Sequence, residues 1–571
     1  MWFQHYKGFL ADVGLAAVIG VVVGVLTAGF GFAFEHLGAF STHIPWLWAR
    51  VVLGFCGFAL SAYLLLKSIG SLHGSSTDYF IEAYNFMYGR IDTRHAVAFI
   101  LLALLTVAVG GSIGPEGPAL ILGGFVASWL TLLVRRAFFE ERYFTLVGGA
   151  AGVSAVFRAP LTALSFVIEL PYRMDIESGV FIETLVSSIT AYLVAAYLLG
   201  PLPLIARVSK LLAISPHGIV IGIVAGVMGA IASMVFIGAK RVFVRISDAV
   251  VRRPRLAILA AGVTGAVIAI LGYYLPGVSG PGTERVVEVW HMLRTGELRP
   301  AVIFLLIGLL KIIATVMTLT LGGTGGVFFP IVAIGVFLGV GAAPLLGLHG
   351  RDEIEVLSAA LVSGIFAGAN KVVVAAIFFG VEVVGFGSVL SSALAASISY
   401  LLTARFGLHA SQIFYRSTAK VQALLEVYRK LHEKGAKEIL NIPAIEVAKK
   451  DNIVAVNYKD TVAEALVKVL SASSGVYVSY PVVDQLWHLL GYVELEDMLA
   501  ADRSMKIHEI MRPAPVVFED IPLAHIIEAF ARYGLDRVFV TNERYVLRGI
   551  ITKTDILRVL SAKLGPSMWL S

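Results

Sequence analysis

The sequence predicts an all-α polytopic membrane domain with broken helices, followed by a smaller α/β domain. Three observations carry this reading. Hydrophobic residues make up 58% of the 571 residues and charged residues only 15%, with a mean hydropathy of +0.84; soluble domains carry about 25% charged residues. Apolar runs fill the chain to about Ala404, and Gly and Pro interrupt many of them. At Arg416 the composition changes, and Lys420, Glu426, Arg429, Lys430, His432, Glu433 and Lys434 bring charge back. A soluble or disordered protein of this length is thereby excluded. A single cysteine, Cys56, excludes an internal disulfide framework and a cysteine-based zinc site. The net charge of +6 fits positive inner loops of a membrane protein and not nucleic-acid binding.

The clear apolar runs are Val13–Phe34, Ala96–Val109, Ala119–Val134, Gly218–Ala239, Leu256–Leu275 and Val302–Leu321. No cleavable signal peptide is expected, because the first run starts near Leu15 behind Asp12 and lacks a cleavage site. Several runs fall short of the roughly 20 residues that a straight helix needs to cross the bilayer. Broken helices at membrane depth must be buried in protein or line a wet cavity. That pattern favours a transporter or channel. Arg405, Arg416 and Lys420 flank the last apolar run, which puts the tail in the cytoplasm.

The membrane part repeats. Gly110-Gly111-Ser112-Ile113-Gly114-Pro115-Glu116-Gly117-Pro118 is matched by Gly322-Gly323-Thr324-Gly325-Gly326-Val327-Phe328-Phe329-Pro330, at an offset of 212 (326−114). Phe157-Arg158-Ala159-Pro160 through Glu169 is matched by Asn370-Lys371-Val372-Val373 through Glu382, at 213 (382−169). Paired Gly-rich breaks in two halves point to a transporter binding site. The tail repeats as well: Gly491 through Asp497 and Gly549 through Asp555 lie 58 residues apart (549−491). Each tail copy reads strand, helix, strand, strand, helix.

Chemistry concentrates in the first break. A carboxylate in an apolar membrane segment is costly and by default marks a function. Pro115 and Pro118 suit the first turn of a helix, and such a start turns free N–H groups and a positive dipole end toward an anion. Glu116 can cap the helix, or it can act as a tethered competitor that occupies an anion site when ionised and leaves when protonated. The partner segment has no carboxylate, but the N–H groups near Val327 and Phe328 can bind an anion, with Phe328 and Phe329 as an apolar wall. Ser75, in Gly74-Ser75-Ser76-Thr77-Asp78, can cap a helix or donate its hydroxyl to an anion. Tyr400 and Tyr415 can offer phenolic hydroxyls or serve as interfacial anchors. Helix-end charge pairing, with Arg158 and Lys371 earlier in each copy, and transport explain Glu169 and Glu382 equally well. Lys311 is expected to snorkel or to lie in a polar cavity.

With these residues in view, the membrane part resembles the CLC family of chloride channels and chloride/proton antiporters. Gly114–Pro118 is similar to its G-[RK]-E-G-P element, with Pro115 in place of the basic residue, and Gly326–Pro330 to its G-x-F-x-P element. Gly74–Asp78 falls where its G-S-G-I-P element belongs and matches only at Gly74 and Ser75. The tail resembles a pair of CBS domains. The resemblance implies a CLC-like transport domain over residues 1–415 and a cytoplasmic CBS pair over 416–571, with copies at about 440–500 and 505–565. It implies inverted repeats, a homodimer embedded in membrane lipids, and a multi-pass place in the cell membrane. By motif, Glu116 would be the gating glutamate; Ser75, Val327 and Phe328 would bind chloride; and Tyr415, or Phe414 beside it, would be the pore tyrosine. In family antiporters an inner glutamate commonly delivers protons; that place follows Glu169 and holds Leu170. Gly549-x-x-Thr552-x-x-Asp555 matches the CBS nucleotide-contact pattern. Thr552 and Asp555 would therefore hold a regulatory adenine nucleotide (ATP, ADP or AMP). Glu494 stands in the corresponding place of the first copy, so one such site is expected per chain.

The reading is therefore chloride transport, as chloride/proton antiport gated by Glu116 and regulated by the nucleotide, with no required cofactor, no metal and no enzyme activity. A passive chloride channel is the first alternative, and a CBS-regulated magnesium channel, which would want several carboxylate ligands along its pore, is the second. A zinc protease is excluded: His432-Glu433 and His508-Glu509 are followed at the fifth position by Ala436 and Arg512, not by His.

Overall fold

The computed structural model describes residues 2–87, 89–134, 142–200, 215–295, 301–414, 437–471, 477–533 and 535–564. The chain divides into two units, Met1–Phe414 and Tyr415–Ser571.

The first unit is helical. Its first half contains α1 (Trp2–Phe40), α2 (Leu47–Ser68), α3 (Ser76–Phe86), α4 (Thr93–Ala108), α5 (Glu116–Val134), α6 (Arg142–Phe157), α7 (Pro160–Glu169) and α8 (Phe181–Leu199). Its second half contains α9 (Pro216–Val251), α10 (Pro254–Tyr274), α11 (Thr283–Thr295), α12 (Ala301–Thr320), α13 (Phe328–Ala342), α14 (Arg351–Asn370), α15 (Val373–Phe379) and α16 (Val389–Leu402). Among the described residues seven helices are long and apolar enough to cross a membrane, and α4, α7 and α16 are shorter apolar helices. Local chemistry sets their starts. The Asp92 carboxylate accepts from the Arg94 and His95 amides at the head of α4, and Ser215 caps α9, with Pro216 as its first residue.

Hydrogen bonds reproduce the sequence repeat. Gly111 N–H donates to Thr106 O and Gly323 N–H to Thr318 O, both at 2.8 Å. Ser112 N–H donates to the Thr318 hydroxyl and Thr324 N–H to the Thr106 hydroxyl. Both pairs are related by 212 residues, and the second pair crosses reciprocally between the halves. At α2 and α10 the two halves touch backbone to backbone: a Cβ on Gly54 would meet Gly265 O, and one on Gly265 would meet Gly54 O. Small residues are what let membrane helices approach this closely.

Glu169 and Glu382 act the same way. Glu169 accepts from the Val374 and Ala375 amides at 2.9 Å each. Glu382, on the π-helical turn Gly380–Val384 that continues α15, accepts from the Leu161 and Thr162 amides at 2.9 and 2.8 Å. Each carboxylate thus caps the helix that carries the other. Arg158 and Lys371, at φ 51° and 65°, make the left-handed turns before these two helices. The sequence readings for this pair are helix-end charge pairing and transport; the structure instead displays cross-repeat capping of backbone amides.

Of the two expectations for Lys311, the structure displays a buried polar setting. Its side chain is fully buried and does not snorkel. Its ammonium donates to the carbonyls of Val278, Ser279 and Gly280 at 3.2, 3.4 and 2.5 Å. Gly280 N–H donates in turn to Gly110 O, so Lys311 braces the break that leads to Glu116.

The second unit holds two three-stranded sheets. In the first, β1 (Val456–Asn457) pairs parallel to β2 (Ser479–Val483), and β2 antiparallel to β3 (Leu489–Glu494). In the second, β4 (Val516–Phe518), β5 (Arg537–Thr541) and β6 (Leu547–Thr552) repeat that order and direction. Val482 faces Gly491 as Val540 faces Gly549, and both sheets shift register just beyond those valines. The helices Val462–Leu470, Leu495–Ala500, Leu523–Tyr533 and Lys553–Leu564 complete the strand–helix–strand–strand–helix order of each copy.

Candidate functional site

The two Gly-rich breaks meet. Gly114 N–H donates to Gly326 O and Gly326 N–H to Gly114 O, both at 2.9 Å. The Gly74 break joins them, since Ser75 bridges Gly325 and the Ser76 hydroxyl donates to Gly325 O. Three helix N-termini, those of α3, α5 and α13, therefore converge on one buried place, and their free N–H groups suit an anion.

Glu116, the first residue of α5, supplies a carboxylate there. Its Oε1 accepts from the Phe328 amide at 2.5 Å, and its Oε2 is buried with no hydrogen-bond partner among the described residues. A Cβ on Gly326 would run into this carboxylate and would lie 2.7 Å from Gly117 N, so glycine is needed for Glu116 to reach the Phe328 amide. The Phe328 ring sits against Phe157, Phe366 and Phe379, with centroids 4.2, 4.4 and 4.7 Å away, so α6, α14 and α15 wall the place with aromatic carbon. Ser75 is the N-cap of α3, its oxygen accepting from Asp78 N–H; its O–H remains available to donate. The Thr77 hydroxyl, two residues on, is buried without a partner among the described residues and would lie 3.0 Å from a Cβ on Gly117.

The structure thus brings Glu116, Ser75 and Phe328 together. Val327 is the residue before α13, and its carbonyl accepts from Ile331 N–H; the amide that meets Glu116 is that of Phe328. Tyr415 lies outside the described residues. Phe414 is 45% exposed, with the Arg173 guanidinium 5.0 Å over its ring. Tyr400 donates its hydroxyl to Arg173 O at 2.7 Å.

The family model for the voltage gated chloride channel matches residues 56–404, well over half the chain. The chain belongs to the voltage-gated chloride channel (CLC) family. A curated relative, the H(+)/Cl(−) exchange transporter ClcA of Salmonella typhimurium strain LT2, is 25% identical over 361 residues, which are 59% of this chain and 72% of that protein. A solved CLC-type fluoride/proton antiporter is 26% identical with a TM-score of 0.59, covering 72% of this chain and 99% of that one. A eukaryotic CLC transporter, at 16% identity and a TM-score of 0.56, shares the fold over 96% of this chain and 98% of its own. The CBS-domain model matches residues 445–504 and 507–562, so this CLC protein carries a CBS pair.

In the CBS pair Thr552 and Asp555 line one pocket with Lys449, Tyr477, Ser479 and Arg537. The Thr552 amide and hydroxyl both donate to Asp555 Oδ2, at 2.9 and 2.5 Å, and Lys449 Nζ lies 2.9 Å from the Tyr477 hydroxyl. Asp555 Oδ1 also pairs with Arg558 at 3.2 Å; in the first copy Glu494 and Asp497 both pair with Arg512, at 3.3 and 2.8 Å.

Proposed function

We propose that this CLC protein exchanges chloride for protons across a membrane, with Glu116 as both gate and proton carrier. The observation that supports it is the Glu116–Phe328 hydrogen bond at the meeting point of three helix N-termini. An ionised carboxylate held by those amides stands in for the anion; a protonated one has lost the charge that binds it there, and chloride can replace it on the Phe328 amide and the Ser75 hydroxyl. The names of the relatives, an H(+)/Cl(−) exchanger and a fluoride/proton antiporter, favour coupled anion exchange. The protein works in this reading as a homodimer in the cell membrane, its CBS pair in the cytoplasm. Loading proteoliposomes with chloride or with fluoride and following efflux by ion-selective electrode tests the substrate: chloride should leave, with or without magnesium, and efflux of fluoride alone would overturn the assignment.

Leu170 favours a second reading. It holds the place where the resemblance puts an inner proton-delivering glutamate, and it is buried and cannot ionise. A passive chloride channel would need no such group.

An adenine nucleotide regulates transport from the pocket around Thr552 and Asp555. Lys449 and Arg537 supply cations for phosphate, and the Asp555 carboxylate can accept the ribose hydroxyls. Arg512 engages both corresponding acids of the first copy and leaves one negative charge there, which disfavours phosphate, in keeping with one nucleotide per chain. Asp555→Ala should weaken ATP, ADP or AMP binding to the full-length protein about tenfold or more, as loss of hydrogen bonds to a charged group does. Wild-type affinity in calorimetry would put the nucleotide elsewhere.

A further inference from the structure

Among the buried ionisable clusters that the mechanism above leaves unused, one adjoins Ser75. Asp78 lies in the first turn of α3, three residues after Ser75, and its N–H donates to the Ser75 oxygen. Its carboxylate takes two cationic neighbours: Lys240 Nζ of α9 at 2.6 Å from Oδ2 and His409 Nδ1 at 3.1 Å from Oδ1. His409 is fully buried, and its other nitrogen lies 2.8 Å from Asn370 Oδ1, at the end of α14.

These contacts put a hydrogen-bond acceptor at each ring nitrogen of His409. A carboxylate only accepts, so Nδ1 carries a hydrogen. The Asn370 amide nitrogen donates to Phe366 O at 3.3 Å, which turns Oδ1, another acceptor, toward Nε2. Network geometry of this kind is what assigns amide orientation and histidine state. Two acceptors suit the imidazolium form, in which one carboxylate against two cations leaves the cluster at +1. The other charges nearby are engaged elsewhere. Lys371 Nζ donates to Thr403 O and Oγ1, both at 2.6 Å. Arg241 lies over the Phe406 ring and Arg173 over Phe414. Glu82, one turn along α3, is exposed, and His73 pairs with Asp248.

We propose that His409 is a second proton-binding residue of the transport machinery, and that the Asp78–Lys240–His409 cluster couples proton uptake to anion binding at Ser75. This rests on the reading of Ser75 and Phe328 as the anion site. With His409 protonated, a net positive charge stands beside the anion. With it neutral, Lys240 just balances Asp78 and that attraction is gone. The proton moves from the imidazolium through the Asp78 carboxylate to water; the Asp78 and Lys240 side chains keep 20% and 19% of their surface exposed. Linkage is reciprocal, so anion binding must also raise the proton affinity of His409.

The test removes the titration of Glu116 by working with full-length E116Q protein. Chloride affinity, measured by calorimetry from about pH 5 to about pH 9, the span in which histidine titrates, should fall on the order of tenfold as pH rises. In E116Q carrying His409→Gln it should stay flat. A flat profile in E116Q itself, or an unchanged slope after His409→Gln, overturns the proposal. A second measurement leaves His409 intact: chloride added to weakly buffered E116Q protein near neutral pH should draw protons from solution, and no uptake overturns the proposal. An E116Q protein that binds no chloride at any pH defeats the anion-site reading itself, a result distinct from chloride binding without pH dependence.

Discussion

Glu116→Gln should separate chloride movement from proton movement. Glutamine matches the shape of the side chain and can still accept from the Phe328 amide, which lies 2.5 Å from Glu116 Oε1, but it cannot carry a proton or compete as an anion. Chloride efflux should continue, while chloride-driven proton flux falls on the order of 100-fold, the low end for loss of a positioned proton carrier. The pH dependence has a definite sign. If Glu116 is the gate, acid should protonate it in the wild type, release it from the amide and speed chloride flux; in the variant this contribution should disappear. Simultaneous chloride- and pH-electrode recording from proteoliposomes reads both, and proton flux at the wild-type rate would remove Glu116 from the mechanism.

Lys311→Met should cost the most stability of any single change discussed. Methionine is of similar length and removes a buried charge, which by itself is favourable. It also strips the charged donor from the carbonyls of Val278, Ser279 and Gly280 in a fully buried place. Each acceptor left unpaired costs about 1–3 kcal/mol, so the net loss should be about 2–4 kcal/mol. Thermal unfolding in detergent, followed by tryptophan fluorescence, should show a clear fall in melting temperature. Melting at the wild-type temperature would mean that other donors reach those carbonyls. Because Gly280 holds Gly110, chloride affinity should fall along with stability.

Much of this arrangement is legible in the sequence, for a physical reason. A break in a buried helix demands glycine, proline and capping groups at fixed places, and these stand out against apolar helix. Hence Gly114–Pro118 and Gly326–Pro330 announce both the repeat and the meeting of helix ends, and the tail strands follow from their β-branched runs and the 58-residue spacing. What stays hidden is partnership across long separations. Thr106, Ser112, Thr318 and Thr324 look like ordinary polar punctuation of apolar runs, yet two of these hydroxyls accept from the opposite half. Glu169 and Glu382 leave charge pairing and transport equally open, and the amides of Val374 and Leu161 that reach them carry no side-chain signal. His409 offers no sequence signal, because its meaning lies in Asp78 and Asn370, 331 and 39 residues away. The difference between Val327 and Phe328 is one residue at a helix start, finer than any composition pattern resolves.

The most direct measurement of the central claim is the reversal potential of the reconstituted protein under opposed chloride and proton gradients. Coupled exchange predicts a potential displaced from the chloride equilibrium value by the proton gradient, with protons driven uphill by chloride. A potential that follows chloride alone, with no proton movement against its gradient, would contradict exchange and establish the channel that Leu170 favours.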